Sequence, residues 1–180
     1  MYKLYFTIGC PRSGKSTIAK LWQNYLAEIT PYEHIHYYPS SMNTSKLAKR
    51  FIVRADDIRL ALGHRYNTET EEFTQTVKHL MIKALLKQGD VLVDGTHSTI
   101  KNIKKILYID KNAIPAYIDT DILTCKSRAI ATNQPDVIGI IDRIHNNLLT
   151  SFNNDLSITS INNVVDNLRK DIYANFKTID

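Results

Sequence analysis

The stretch Gly9-Cys10-Pro11-Arg12-Ser13-Gly14-Lys15-Ser16-Thr17 decides the fold of this 180-residue chain. It matches the pattern G-x-x-x-x-G-K-[ST], in which glycines let successive backbone N–H groups turn inward around phosphate. A short β-rich apolar run, 4–8, precedes it. The residues that follow form an apolar stripe at helical spacing, which comprises Ile18, Leu21, Trp22, Tyr25, Leu26 and Ile29. We therefore predict a phosphate-binding loop over residues 9–17 that binds a nucleoside triphosphate.

The motif also assigns roles to individual side chains. The Lys15 ammonium can reach the β- and γ-phosphates, and the Ser16 hydroxyl can ligate Mg²⁺. Asp94 ends the apolar run 91–93, and an acid in that place can hold the Mg²⁺ or its water. ATP and Mg²⁺ are the expected cofactors.

Composition sets outer bounds on the function. A chain of 20.6 kDa is expected to form one domain, residues 1–180. Its two cysteines, Cys10 and Cys125, do not make a disulfide framework or a metal knuckle. The few residues before Gly9 are too short for a signal peptide or a membrane span, so a cytoplasmic location without membrane contact is expected. The net charge of +5 permits a polyanionic partner.

Strand and helix patterns alternate along the chain. Short apolar runs at 4–8, 51–53, 91–94, 113–119 and 158–161 predict about five strands with helices between them. This alternation predicts a three-layer α/β/α fold of the P-loop NTPase type with a parallel sheet. Residues 128–140 read as a helix, a short polar loop and a second helix, which is typical of a lid over bound phosphates.

Two further segments carry specific expectations. Residues 30–50 interrupt the pattern with two prolines and many tyrosines, and read either as a base-stacking surface or as a surface loop or small hairpin. Thr68 opens a long helix with a capping-box pattern, and Gly89 is expected to end it. The expected buried stripe of this helix comprises Phe73, Val77, Leu80, Met81 and Ala84.

Charged side chains follow the second predicted strand directly. Asp56, Asp57 and Arg59 lie where open parallel sheets bind ligands, beyond the carboxyl end of a strand. A carboxylate there can orient an attacking hydroxyl and accept its proton, and Asp56 is the candidate. Arg59 can pair with an anionic group of the acceptor, with Asp57 beside it on the acceptor side. Arg128 is the candidate for stabilising the transferring phosphoryl group, and Arg12 is a weaker one.

These motifs resemble a known family. Residues 7–17 look like the start of the kinase domain of phage polynucleotide 5'-kinases, and Asp56-Asp57-Ile58-Arg59 is similar to that family's D-D-x-R motif. The resemblance implies that Asp56 is the catalytic aspartate and that Arg59 binds an acceptor phosphate. Residues 93–97 resemble the D-x-T-[NH] segment of a wider group of predicted P-loop kinases, which places Thr96 and His97 at the acceptor.

The chain also departs from that family. Polynucleotide kinases carry two lid arginines four positions apart, and Thr132 stands where the second would follow Arg128. Stabilisation of the phosphoryl group would then use fewer arginines, or Arg12 or Arg143 would supply the missing charge. The family's phosphatase domain has no counterpart in the sequence.

Three functions are weighed. The first is a kinase that moves the γ-phosphate of ATP onto a hydroxyl of a nucleic acid, at a 5'-end or on a modified base. The second is a kinase for a nucleoside, sugar or antibiotic, which would use the same catalytic residues. The third is a non-catalytic nucleotide switch. Residues 133–136 match the guanine-reading N-K-x-D motif poorly, since Gln134 replaces the lysine, so adenine is the expected base.

Overall fold

A four-stranded parallel sheet forms the centre of the protein. The computed structural model describes residues 2–30, 34–38, 48–63 and 66–177. In chain order the strands of this part are Leu4–Ile8 (β1), Ala27–Thr30 (β2), His34–Tyr37 (β3), Lys49–Arg54 (β4), Gly89–Asp94 (β5) and Ile114–Tyr117 (β6). The main sheet has the order β4-β5-β1-β6, and β2 and β3 form a separate antiparallel pair.

Seven α-helices surround these strands in the described residues. They are Lys15–Gln23 (α1), Ala55–Ala61 (α2), Thr68–Leu85 (α3), Ile100–Leu107 (α4), Ile122–Ala131 (α5), Ile138–Ser151 (α6) and Ile158–Lys177 (α7). A 3₁₀ turn, Pro135–Val137, joins α5 to α6. None of the helices described is both long and apolar enough to cross a membrane.

Alternating side chains of the sheet build two separate cores. On one face, Tyr5 and Leu92 pack with Trp22 of α1 and Ile29 of β2. On the other face, Leu4, Phe6 and Ile8 pack against the remaining helices, in a cluster that includes Ile103, Phe152 and Val165. Because β1 is covered on both faces, all five of its residues are buried. The predicted three-layer α/β/α fold is confirmed.

The sheet has four strands, not the five expected, because residues 158–161 are helical. The Ser157 hydroxyl accepts a hydrogen bond from the Ser160 amide at 3.2 Å, which caps the first turn of α7. Ile161 then shares a buried helix face with Val165, Leu168 and Ile172. The apolar run fits a strand over four residues, but the capping serine and the longer 3.6-residue period select a helix.

The first helix is shorter than its apolar stripe suggested. It ends at Gln23, and Tyr25 adopts a positive φ of 58°. The Leu26 amide donates back to the Leu21 carbonyl at 2.8 Å, a bond that closes the helix end. Tyr25, Leu26 and Ile29 therefore lie outside α1, and Ile29 is buried in β2 instead.

The described part of the 30–50 segment comprises β3, which pairs with β2 in a small hairpin, and the beginning of β4. Thr30 pairs with His34 across the β2–β3 ladder, and Lys49 and Arg50 already belong to β4. Residues 31–33 and 39–47 lie outside the described residues, so the expectation of base stacking there stays a prediction. Tyr25, just before the hairpin, packs on the Arg50 guanidinium at 4.5 Å, and Arg50 pairs with Glu28.

Helix α3 buries a different face from the one predicted. Asn67, not Thr68, is its N-cap, and the Asn67 side chain accepts a hydrogen bond from the Glu69 amide at 3.0 Å. Phe73 is 58% exposed and Met81 is 39% exposed, so the expected apolar stripe was wrong at both positions. The inward face carries Thr74 and Ile82, which are buried.

Gly89 opens β5 and does not end α3, which stops at Leu85. A Cβ atom at Gly89 would lie 2.2 Å from the Lys49 carbonyl oxygen of the neighbouring strand. The glycine is therefore required by close approach of two backbones and not by a helix end.

Candidate active site

The phosphate-binding loop leads from the end of β1 to the beginning of α1. Gly14 is the N-cap of α1 with a φ of 101°, a conformation that favours glycine, and no side chain caps the helix. The first N–H groups of α1 therefore face the cleft with the positive end of the helix dipole behind them. A helix end of this kind can bind an anion, and phosphate binding by this loop stays a prediction.

Lys15 is buried within this loop. Its ammonium donates to the Cys10 carbonyl and lies 3.4 Å from the Ser13 hydroxyl. Burial lowers the pKa of Lys15, whereas the Asp94 carboxylate opposes that shift. A phosphate in the loop would give this desolvated cation a direct counter-charge.

Ser16 and Asp94 meet at the junction of loop and sheet. The Ser16 hydroxyl donates to one Asp94 carboxylate oxygen at 2.7 Å, and the Arg54 Nε donates to the same oxygen at 2.8 Å. A hydroxyl and a carboxylate side by side match the hard oxygen ligands of Mg²⁺, which usually takes its other ligands from water and substrate phosphates. Across the described residues no group of three or more His, Cys, Asp or Glu side chains is arranged to hold a metal.

Arg54 is a cleft residue that was not predicted from the sequence. It is the last residue of β4 and stands opposite Asp94 in the ladder, so its side chain reaches the Asp94 carboxylate directly. It also lies 3.8 Å from the Asp57 carboxylate. This contact draws Asp57 toward Arg54, and Asp57 does not line the cleft that Asp56 lines.

Asp56 and Arg59 face the phosphate-binding loop from α2. The Asp56 side chain is 89% exposed, and one of its oxygens accepts a hydrogen bond from Arg59. Arg59 also bonds both carboxylate oxygens of Glu71 on α3, at 2.9 and 3.0 Å. Glu71 was assigned only a capping role from the sequence, yet it holds the guanidinium that holds Asp56.

Two arginines approach the loop from the opposite side. The Arg128 guanidinium donates to the Arg12 carbonyl at 3.1 Å, and its Nη1 lies near Gly14. The Arg12 side chain in turn donates to Gln134, which follows α5. The predicted lid segment 128–140 therefore touches the phosphate-binding loop, with Thr132 on the same cleft wall. Arg143 does not line this cleft.

His97 and Thr96 connect the loop after β5 to the phosphate-binding loop. The Gly9 amide donates to the Thr96 carbonyl at 3.2 Å. The His97 Nδ1 lies 2.6 Å from the Thr7 carbonyl oxygen, which only accepts, so Nδ1 carries the proton. Burial lowers the pKa of His97 to about 4, and Lys78 lowers it as well. The ring is neutral near pH 7 and offers an acceptor nitrogen, not a positive charge.

A basic pair on α3 and α4 also lines the cleft. Neither Lys78 nor Lys105 was predicted as a site residue. Burial lowers the pKa of Lys78 to about 8, with Lys105 and Arg59 adding to the shift and Glu71 opposing it. The spacing of Glu71, Gln75 and Lys78, four and three residues apart, places all three on one helix face, and this was the signal available.

Most of these side chains, though not Asp57, Gln134 or Arg143, line one cleft of about 1400 Å³. Lys15, Ser16, Asp94, Arg12 and Arg128 form its loop side. Asp56, Arg59, Glu71, Lys78, Lys105 and His97 form the facing wall. The buried thiol of Cys10 has its pKa raised by burial to about 11, and Cys125 is buried too, so neither supplies a thiolate.

Comparisons with known proteins extend this description. The sequence matches no protein-family model and no curated protein. The fold is similar to a chain in the structure of the Pnkp1/Rnl/Hen1 RNA repair complex, with a TM-score of 0.61 and 19% identity over 83% of this chain and 45% of that chain. A second Pnkp1/Rnl/Hen1 complex gives a TM-score of 0.53 and 20% identity, over 71% and 39% of the two chains.

A shikimate kinase from Acinetobacter baumannii in complex with shikimate gives a TM-score of 0.48 and 12% identity, over 100% of this chain and 96% of that chain. The protein spans less than half the length of the two Pnkp1/Rnl/Hen1 chains it matches. The likeness to the two Pnkp1/Rnl/Hen1 chains shows that the protein shares their fold.

Proposed function

We propose that this protein is an ATP-dependent kinase that transfers the γ-phosphate of ATP to a hydroxyl group of a nucleic acid. The observation that carries the proposal is that one cleft holds a complete phosphate-binding loop and, facing it, an exposed carboxylate, Asp56. Its volume of about 1400 Å³ exceeds the roughly 300–1000 Å³ usual for a single small ligand, so a nucleotide and an acceptor both have room.

The chain's own residues divide the work of phosphoryl transfer between them. The N–H groups at the beginning of α1 and the Lys15 ammonium hold the β- and γ-phosphates. Ser16 and Asp94 would hold Mg²⁺, which when bound neutralises charge on the β- and γ-phosphate oxygens. Arg128, which already reaches the loop, lies where it can stabilise the transferring group.

Asp56 acts on the acceptor. Arg59 bonds one of its carboxylate oxygens and leaves the other for the acceptor hydroxyl. The hydroxyl oxygen forms a bond to the γ-phosphorus as the bond from that phosphorus to the bridging oxygen of ATP breaks. Asp56 takes the hydroxyl proton, and ADP leaves.

A nucleic-acid acceptor is supported by charge and by analogy. The protein carries a net charge of +5, and the acceptor wall of the cleft carries the lysines Lys78 and Lys105. One of the Pnkp1/Rnl/Hen1 chains that share the fold comes from a structure described as an RNA repair complex, an analogy that favours the same substrate class.

The test is transfer of labelled γ-phosphate from ATP and Mg²⁺ to an oligonucleotide with a 5'-hydroxyl end. We expect labelling by the wild type, and a loss of at least about 100-fold in kcat for Asp56→Asn with ATP binding retained. Asp171→Asn, an exposed carboxylate on α7 outside the cleft, is the matched control. Phosphoryl transfer by Asp56→Asn at the wild-type rate would show that Asp56 is not the base. Labelling of small alcohols but not of the oligonucleotide would show that the acceptor is a small molecule and not a nucleic acid.

A further inference from the structure

Among the residues that the structure describes, Lys78 and Lys105 differ from the other cations that line the cleft in having no bonded partner. In the part of the chain that the structure describes, no carboxylate or hydrogen-bond acceptor lies within bonding distance of either ammonium group. Each of the remaining five has a bonded partner, namely Arg12 with Gln134, Lys15 with the Cys10 carbonyl, Arg54 with Asp94, Arg59 with Asp56 and Glu71, and Arg128 with the Arg12 carbonyl.

The carboxylate that acts on the pKa of Lys78 is already bonded to other side chains. Glu71 opposes the lowered pKa of Lys78, but Arg59 bonds both of its carboxylate oxygens. Gln75 donates to one of those oxygens as well, at 2.6 Å. Lys78 therefore stays a half-buried cation that Lys105 and Arg59 repel, an arrangement that an anion between the lysines would stabilise.

Arg59, in contrast, has little capacity left for an anion. Its guanidinium bonds Asp56 on one side and Glu71 on the other, so the three side chains together carry a net negative charge. A phosphate placed on Arg59 would approach two carboxylates. The same contacts hold Asp56 in place toward the acceptor, which makes Arg59 a positioning residue.

The basic pair lies on the acceptor wall. Lys78 is close enough to lower the pKa of His97, which follows β5, and both line the cleft with Asp56. Gln75 and Asn102, on the same two helices as the lysines, line the cleft beside them and add amide donors. Two ammonium groups and two amides form a set that suits the several oxygens of a phosphate group.

We propose that Lys78 and Lys105 bind a phosphate group of the acceptor, one separated from the reacting hydroxyl, while Arg59 orients Asp56. This inference rests on the proposed kinase function for the identity of the ligand as an acceptor. The phosphate chemistry could belong to a phosphodiester of a nucleic acid or to a phosphorylated small molecule, and the acceptors used in the test separate these sources.

The test measures equilibrium binding by calorimetry, in the absence of ATP, so that it does not depend on turnover. The ligands are a nucleoside, the same nucleoside with a 3'-phosphate, a dinucleotide with a 5'-hydroxyl, and a sugar phosphate. We expect the wild type to bind the 3'-phosphate at least about 10-fold more tightly than the free nucleoside. Lys78→Met and Lys105→Met should each weaken this binding about 10-fold, and the double variant should remove the preference.

Controls separate charge from structure. Lys101→Met removes an exposed lysine of α4 that does not line the cleft and should change nothing, and Lys78→Arg should keep most of the preference. Tighter binding of the dinucleotide than of the sugar phosphate places the phosphate in a nucleic acid, and the reverse places it in a small molecule. A preference that survives in the double variant, or equal weakening for the uncharged nucleoside, would overturn the inference.

The same ligands test the phosphate site and the proposed kinase function independently. If binding depends on the phosphate and on both lysines, but no phosphate is transferred from ATP to any of the four ligands, the phosphate site is supported and the kinase function is contradicted. If phosphate is transferred but binding does not depend on Lys78 or Lys105, the kinase function is supported and the phosphate site is contradicted.

Discussion

Arg54 illustrates how a single residue gains its role from position alone. It follows an apolar strand and precedes two aspartates, so its sequence context resembles an ordinary strand end. In the sheet it faces Asp94 across the β4–β5 ladder, and its Nε holds the same carboxylate oxygen that Ser16 contacts. The orientation of the proposed Mg²⁺ ligand thus depends on an arginine forty positions away.

Asp56, in contrast to Arg54, could be selected from the sequence alone. Its place after a predicted strand was enough to select it, and the structure puts its exposed carboxylate on the cleft facing Lys15. Its assignment as the base stays a prediction that the labelling experiment decides.

Lys78 predicts a pH dependence of acceptor binding. Its pKa lies at about 8 because burial and the facing cations Arg59 and Lys105 disfavour the charged form, while Glu71 opposes them. Two histidines lie close enough for Lys78 to lower their pKa: His97, with a pKa of about 4, and His79, so both rings are neutral above pH 7. Below about pH 8 the ammonium is present and binds phosphate; above it the charge is lost.

We therefore expect the dissociation constant of a nucleoside 3'-phosphate to rise by up to about tenfold per pH unit above about 8, since the phosphate itself is already a dianion. Calorimetry between about pH 7 and 9.5 measures it. Lys78→Arg should flatten the profile because arginine stays charged. An identical profile in that variant would exclude Lys78 as the titrating group.

Helix α3 shows why an apolar pattern does not by itself identify the buried face. Phe73, Leu80 and Met81 form a plausible stripe, yet all three are exposed. The inward face carries Glu71, Gln75 and Lys78 along the cleft and Ile82 in the core, and Val77 is partly buried against the same core. A polar cleft wall and a hydrophobic core share one helix face, so the predicted helix was confirmed and its orientation was wrong.

The β4–β5 pairing carries a prediction at the scale of the element. A methyl group at Gly89 would collide with the backbone of Lys49, which cannot move without disturbing the ladder. We expect Gly89→Ala to lower the free energy of unfolding by about 1–3 kcal/mol, the usual range for overpacking. Urea denaturation measures the change.

Gly139 in α6 provides the matched control, since nothing lies within 4 Å of a Cβ atom placed there. Gly139→Ala should leave stability unchanged or raise it by about 0.5–1 kcal/mol through helix propensity. Equal effects of the two substitutions would mean that Gly89 is not confined by the neighbouring strand.

At the scale of the whole molecule, the cleft connects parts that are distant in the chain. The loop between β1 and α1, the ends of β4 and β5, and the segment between α5 and α6 all contribute to it. A nucleotide bound there would tie the sheet to the lid segment, so ligand binding should stabilise the entire fold.

We expect ATP with Mg²⁺ at about 100 times its dissociation constant to raise Tm by roughly 5–10 °C, from about 2.7 kcal/mol of binding linkage. Lys15→Met should remove most of this shift, and Lys20→Met, an exposed lysine of the same helix, should retain it. Differential scanning calorimetry measures both. A full shift in Lys15→Met would contradict the assignment of Lys15 to the phosphates.

The sequence by itself determined the phosphate-binding loop, the alternation of strands and helices, and the placement of Asp56 and Asp94 at strand ends. These features are local, because a motif of nine residues or an apolar run of four specifies its own backbone conformation. The parallel sheet followed from the order of the elements.

Only the tertiary structure decided which residues meet. The pairing of Arg59 with Glu71, of Arg54 with Asp94, and of Lys78 with Lys105 on one wall depends on the register of β4 with β5 and on the packing of α3 and α4. The same packing buried Ile82 in place of Met81. Such contacts join positions far apart in the chain, and no local pattern of residues encodes them.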